Sequence, residues 1–445
     1  MATYVLSQEV ERVAAAIVEL RAEQCVPVLE QAFVDLERLK PAEVDAADLV
    51  ANGAAIAQDV FDARVALHAR AGVWWGEGAL TPECMRSVRR ADLAGRYLVD
   101  YVVAALPPEA RPPEWIAPSG AAFRGPGDLR SGDLLVTRAN ALSSAGIAHM
   151  GRIDSQFSHN VLVYVDADGR AWAVMAYLEY GALVEPMEEF LAHGVARVVV
   201  LRHPDAELAS RAAAAAYERV VDGPPIDYDA DFDHVDHGKL FCSEVPDWAF
   251  GELLGREDAV PIALALTTFD REHNAGMFDA MGISTDITSA PADVLYDPRF
   301  AIVAEYRDPT ELVRMRHHDA VVESVMTWME QRGYVLEVAR RHRATVKFGL
   351  FARKLPVLGA GLRSKIHPRG DEAFLVSSLA LQEAVLAVEA DLEEAILGRE
   401  EPLTWDDLRA ALEGVRVADL ARWEADPRKA HFTGILHPVA PPPSE

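Results

Sequence analysis

Ser158-His-Asn-Val-Leu-Val-Tyr-Val165, Asp166-Ala-Asp-Gly169 and Ala171-Trp-Ala-Val-Met-Ala-Tyr177 follow one another almost without a break. The outer two pieces carry the β-branched and aromatic residues that suit an extended chain. The Asp/Gly piece between them has hairpin turn chemistry, so the three read as strand, turn and strand. Ahead of this hairpin, Gly132-Asp-Leu-Leu-Val-Thr137 supplies a turn and a short apolar strand. Behind it, residues 196–201 and 301–306 supply two more strands, the second being the last that the pattern shows. Residues 138–157 read as a long irregular segment. Residues 205–221 form an alanine-rich helix, and a polar loop over 222–238 leads to a helix beginning near Cys242.

On both sides of this α+β segment the spacing becomes helical. Val10, Val13, Ile17 and Leu20 recur at helical intervals after Ser7, the expected N-cap. Leu49, Ile56, Val60 and Leu67 mark a second helix, and Thr81-Pro-Glu83 opens a third with proline at its first position. Residues 107–120, with two proline pairs, read as a linker. After Asp308-Pro309 helices return. Val321, Val325 and Trp328 share one face, residues 373–397 form a long helix closed by Gly398, and Thr404-Trp-Asp-Asp407 resembles a capping box. The tail over 438–445 is proline-rich and expected to be disordered. The chain thus divides into three regions: helical residues 1–118, the mixed core over 119–308, and helical residues 309–445.

Composition narrows the function classes. The 445 residues are 50% hydrophobic and 25% charged, which excludes global disorder and fibrous repeats. A net charge of −27 excludes a general nucleic-acid binder, because phosphate contacts need a basic surface. Three cysteines, Cys25, Cys84 and Cys242, are too few for a disulfide framework. They fit a reducing compartment, with Cys25 and Cys84 as helical core residues and one thiol left for chemistry. The N-terminus lacks a basic stretch followed by an apolar one, and no apolar run approaches ~18 residues. The expectation is no signal peptide, no membrane span and a cytoplasmic location.

The chemistry gathers at Cys242 and His159. In Phe241-Cys-Ser-Glu-Val-Pro-Asp247, a polar loop runs into residues with helix-start chemistry. A thiol there is favoured as thiolate, the nucleophilic form, and backbone N–H groups are at hand for an oxyanion. His159 opens an apolar strand directly after an irregular segment, where an imidazole on a rigid element can serve as base. Glu179, at the end of the partner strand, is the candidate third member that would orient the ring. Each of the three also has a plain structural reading: a buried inert thiol, a satisfied histidine and an exposed turn carboxylate.

The ordered set Arg130-Ser-Gly-Asp-Leu-Leu-Val-Thr137, Phe157-Ser-His-Asn-Val-Leu-Val-Tyr164 and Phe241-Cys-Ser-Glu-Val245 resembles the circularly permuted NlpC-type papain-like cysteine hydrolases, the YiiX/YebB-like group. Gly181-Ala-Leu-Val-Glu-Pro-Met-Glu-Glu-Phe190, Pro225-Ile-Asp-Tyr-Asp229 and Ser289-Ala-Pro-Ala-Asp-Val294 resemble that family's connecting pieces. The resemblance spans about residues 119–308. It implies an α+β fold, a circularly permuted papain-like core with an antiparallel sheet, flanked by N- and C-terminal helical regions. It also implies a cysteine hydrolase with His159 before Cys242 in chain order. Many family members carry a glutamate near the position of Met175; here Glu179, further along and on the same face if the strand is regular, is the substitute.

Two charged clusters remain. Asp227, Asp229, Asp231, Asp233, His234, Asp236 and His237 lack the spacing of a calcium loop or a zinc set, and read as an acidic rim beside Cys242. No metal or cofactor is expected. Residues 340–369 hold nine Lys or Arg and no acid, interleaved with apolar patches. This basic segment reads either as an arm packed on an acidic partner domain or as an anionic membrane-surface element. Three functions stand open: hydrolysis of a peptide or isopeptide amide, hydrolysis or transfer of a lipid-linked acyl group, and a non-catalytic papain-like binding or scaffold module.

Overall fold

The computed structural model describes residues 5–38, 45–140, 142–149, 151, 155–177, 180–229, 232–256, 259–269, 285–352, 372–399 and 403–439. Four helices come first: α1 (Leu6–Val18), α2 (Cys25–Arg38), α3 (Ala46–Gly76) and α4 (Pro82–Ala105). Val10, Val13 and Ile17 are buried, as the spacing requires. Thr81 caps α4 by accepting the Cys84 N–H at 3.2 Å, ahead of Pro82. Ser7 is not the N-cap of α1, which starts one residue earlier. Its N–H and hydroxyl both go to the Asp48 carboxylate on α3, at 3.1 and 2.8 Å, so a tertiary contact takes the group that the local pattern assigned to capping.

Cys25 and Cys84 are joined by a disulfide, their Cα atoms 5.6 Å apart. This corrects the expectation of two reduced core thiols. The start of α2 lies against the first turn of α4, and the two helix-pattern cysteines face each other there.

The centre is a seven-stranded sheet of antiparallel pairs, in the order β1-β9-β6-β2-β3-β4-β5. Its strands are β1 (Trp115–Ile116), β2 (Leu134–Ala139), β3 (His159–Val165), β4 (Ala171–Tyr177), β5 (Gly181–Pro186), β6 (Val195–Arg202) and β9 (Ala301–Arg307). A separate pair, β7 (Thr267–Thr268) and β8 (Ile287–Thr288), lies outside it. Helices α5 (Leu142–Ala148), α6 (Met187–Leu191), α7 (Ala206–Asp222) and α8 (Val245–Phe250) fill the connections. The segment read as irregular therefore contains α5, and the segment read as a linker contributes β1. Both elements are too short to show a period.

Strand alternation divides the core. Leu134, Val136, Leu162, Val174, Val199 and Leu201 face one way, into a cluster shared with α1–α4, α7 and α8. Leu135, Val161, Val163, Ala173, Met175, Val198 and Val200 face the other way, against Met187 and Phe190 of α6. Burial on both faces explains the near-continuous apolar runs.

A charged layer is sealed between the helices and the sheet. Arg64 of α3 reaches Asp92 of α4 at 2.8 Å and Glu305 of β9 at 2.6 Å. Arg307 reaches Glu305 at 2.9 Å and Asp100 at 3.1 Å, and Arg197 of β6 also pairs with Asp100. Arg96 lies 3.1 Å from Asp92 and over the Phe157 ring. Burial alone would raise Asp92, but the Arg64 and Arg96 charges outweigh it and hold the carboxyl at about 2.

The C-terminal part has its own apolar cluster, built from Val321, Val325, Trp328, Val388, Leu392, Leu412, Phe432 and Leu436. It comprises α9 (Pro309–Gln331), α10 (Arg340–Ala352), α11 (Glu372–Ile396), α12 (Trp405–Ala425) and a strand pair, β10 (Tyr334–Leu336) with β11 (Leu436–Pro438). The sequence pattern put the last strand at 301–306 and missed this pair, whose three-residue strands show no alternation. Thr404 and Asp407 form the expected capping box, and Gly398 takes a left-handed φ of 80° beyond α11. Residues 440–445 of the tail lie outside the described residues. Among the described residues no helix is long and apolar enough to cross a membrane.

Candidate active site

The β3–β4 ladder runs from Val165↔Ala171 to Leu162↔Val174 and stops. The first residues of β3 therefore have no ladder partner in β4, although β4 stays paired with β5 as far as Tyr177↔Gly181. Cys242 comes to this opening. Residues Cys242–Glu244 form a short 3-10 turn that leads into α8, as the helix-start chemistry implied. The thiol lies 3.9 Å from the Ser158 carbonyl and 3.8 Å from the Ser243 hydroxyl. It is the one unpaired cysteine of the chain and is buried.

Burial pushes the Cys242 thiol up to about 11. The Ser243 hydroxyl and the N–H groups of Asn160, Ser243 and Cys242 itself act against that rise. Four donors around one sulfur are what a thiolate needs, yet desolvation wins and the resting thiol stays neutral.

His159 opens β3, as expected, and its ring shares the face of Val161 and Val163. It stacks on Tyr177 at 4.7 Å between centroids and meets Phe190 at 6.2 Å. Nε2 is buried and has no hydrogen-bond partner among the described residues. Burial alone drives the imidazole down to about 3, so the ring is neutral too. The structure thus brings the Cys242 thiol to the backbone on either side of His159, but no hydrogen bond joins sulfur and ring. Met175 is fully buried on the face that His159 shares, and Glu179, the candidate acid, lies outside the described residues.

Sequence reasoning missed the imidazole's aromatic wall. The signal was present: a turn that pairs Val165 with Ala171 carries His159 opposite Tyr177 six residues on. It also missed Asn160, whose carboxamide is buried with both polar atoms unpaired among the described residues. One strand position from His159, in an apolar run, an asparagine carries no signal of its own.

Glu244 lies in the first turn that opens at Cys242. Oε2 accepts the Phe241 N–H at 2.8 Å, and Oε1 is buried without a partner. Burial first, then the charges of Asp229, Asp233 and Asp247, push it up to about 10 against that hydrogen bond. The folded chain therefore keeps this proton above pH 4.5, where the unfolded chain releases it, and stability drains away as pH rises toward 10. Glu244→Gln should raise stability at pH 8 by about 1–3 kcal/mol, with the gain vanishing below pH ~4. Urea titrations of both proteins at the two pH values measure this; a gain at pH 4 as large as at pH 8 would refute the protonated acid.

Of the acidic loop, Asp231 lies outside the described residues. Asp233 donates its N–H to Asp229 at 3.0 Å, and His237 meets Glu252 at 2.9 Å and Asp247 at 3.4 Å. Among the described residues, the one group of three that could converge on a cation is Asp391, Asp419 and His431 in the C-terminal part. There Arg422 already pairs with both acids, at 2.8 and 3.0 Å. A cavity of about 410 Å³ lined by Phe123, Leu129, Arg130, Arg202 and Ile302 lies at the other end of β6, away from Cys242.

No family model, curated protein or solved structure matches the chain.

Proposed function

We infer that the chain is a cysteine hydrolase of the papain-like kind, cleaving a peptide or isopeptide amide with Cys242 as nucleophile and His159 as base. The observation that carries this is the break in the β3–β4 ladder, with the one unpaired thiol lodged there beside the residue that presents the imidazole. Because both groups rest neutral, the proton passes from Sγ to the imidazole as sulfur attacks the carbonyl carbon, and no ion pair stands beforehand. The imidazolium then protonates the departing amine. Water, deprotonated by the ring, releases the acid from the thioester. The Cys242 N–H and the buried, unpaired Asn160 carboxamide are donors suited to the oxyanion. Substrate reaches this pair only after side chains at the rim move, since both groups are nearly covered.

A second reading, a papain-like module without catalysis, is favoured by Met175 where the resembling family has an acid, and by an imidazole whose neutrality no charge opposes. The lipid acyl reading uses the same thiol and differs in substrate alone. A cytoplasmic location is harder to sustain beside the Cys25–Cys84 bond, which suits an oxidising compartment.

A thiol-directed acyl probe tests the assignment. Wild-type protein should be labelled at Cys242, Cys242→Ala not at all, and His159→Ala should react about a hundredfold more slowly. Labelling at the same rate with and without the imidazole would leave an ordinary thiol and favour the scaffold reading.

A further inference from the structure

Helix α10 is the described part of the segment where this acidic chain turns basic and apolar at once. Its sequence, Arg340-Arg-His-Arg-Ala-Thr-Val-Lys-Phe-Gly-Leu-Phe-Ala352, has four Lys or Arg and no acid. The rest of the basic segment, 353–369, lies outside the described residues. His342 and Val346 are buried against α11, where His342 meets Glu383 at 2.8 Å and Arg341 pairs with the same carboxylate. That contact fixes which face looks outward. Ala344, Phe348 and Phe351, at i, i+4 and i+7, form the opposite ridge. Phe348 is 67% exposed and Phe351 61% exposed. Arg340 and Lys347 lie along this ridge and Arg343 on its flank, all exposed.

Two phenylalanines in water on one ridge are costly, and each exposes far more apolar surface than a core-packed helix needs. An acidic protein as a whole repels anionic surfaces, so local cations around these rings select for what the rest of the chain rejects. Aromatic side chains flanked by long cationic ones match the interface of a bilayer: rings enter the acyl boundary while Lys and Arg extend to the headgroups.

We propose that α10 docks the protein on an anionic lipid surface through Phe348 and Phe351, with Arg340, Arg343 and Lys347 contacting the headgroups. The helix lies in the interface plane, its His342–Val346 face still packed on α11. Docking does not depend on the Cys242 assignment, so failure of either leaves the other standing.

Co-sedimentation of the full chain with vesicles tests this. Binding is expected to phosphatidylcholine vesicles containing about one-third phosphatidylserine, and not to phosphatidylcholine alone, with loss at high salt. Arg340→Gln/Arg343→Gln/Lys347→Gln should weaken partitioning about a hundredfold, roughly fivefold per cation. Phe348→Ser/Phe351→Ser should abolish binding while far-UV circular dichroism and the unfolding midpoint stay unchanged, because both rings are outside the core. Equal binding to neutral vesicles, no binding to either kind, or binding indifferent to both variants overturns the proposal. So does self-association in sedimentation equilibrium that the phenylalanine variant removes, since the ridge would then belong to a second copy.

Discussion

Glu305→Ala should lower the free energy of unfolding by about 3–5 kcal/mol, the range for stripping a buried charge of its partner. Glu305 is fully buried on β9, with Arg64 of α3 at 2.6 Å and Arg307 at 2.9 Å. Its removal leaves Arg64, Arg96, Arg197 and Arg307 with Asp92 and Asp100 as their direct ion-pair partners among the described residues. Guanidinium groups do not shed their protons to escape, so the excess charge stays in the interior. An exposed pair such as Glu9–Arg12 on α1 is worth less than ~1 kcal/mol and serves as the control. Glu305→Ala/Arg307→Met restores the balance and should cost less than the sum of its single variants. Acid should act on the same layer. Burial works to raise Glu305, but Arg307, Arg64 and Arg197 hold it below the usual range. Its contribution is present above the ordinary carboxylate range and is lost as pH falls through the depressed value. Urea titrations at neutral pH decide the matter; a loss below ~1 kcal/mol for Glu305→Ala would mean that water reaches the layer.

That charged layer was invisible in the sequence, and the reason is physical. Arg64, Asp92, Arg96 and Asp100 sit in helical patterns where a charged residue reads as a solvated face. Only contact with β6 and β9, about a hundred or more positions along, turns them inward. The hairpin at 159–177 was legible because its alternation and its turn are local. So were the Thr81 and Thr404 caps, which depend on neighbours three residues away. Cys242 at a helical start was legible for the same reason. The break in the β3–β4 ladder was not, since nothing in residues 159–161 says that their partner strand diverges. The neutrality of the two groups was also hidden, because burial, and no neighbouring charge, sets it. Local chemistry named the residues; long-range packing decided their protonation.

The Cys25–Cys84 bond carries the second large expectation. It closes a loop of 59 residues, and its removal by Cys25→Ser/Cys84→Ser should cost about 2–4 kcal/mol. Both sulfurs are buried, so the bond should survive mild reductant in the folded protein and yield only as the chain opens. Alkylation in denaturant without reductant should therefore mark Cys242 alone, and all three cysteines after reduction. Wild type unfolded in reductant should fall to the stability of the double serine variant, which reductant leaves unmoved. The bond clamps the first turn of α4, and α4 further along carries Asp92, Arg96 and Asp100. A chain lacking both the bond and Glu305 should consequently lose an amount that differs from the two losses added together, because both act through the seating of one helix. Strict additivity would separate the N-terminal clamp from the charged layer, and three alkylated cysteines before reduction would remove the clamp altogether.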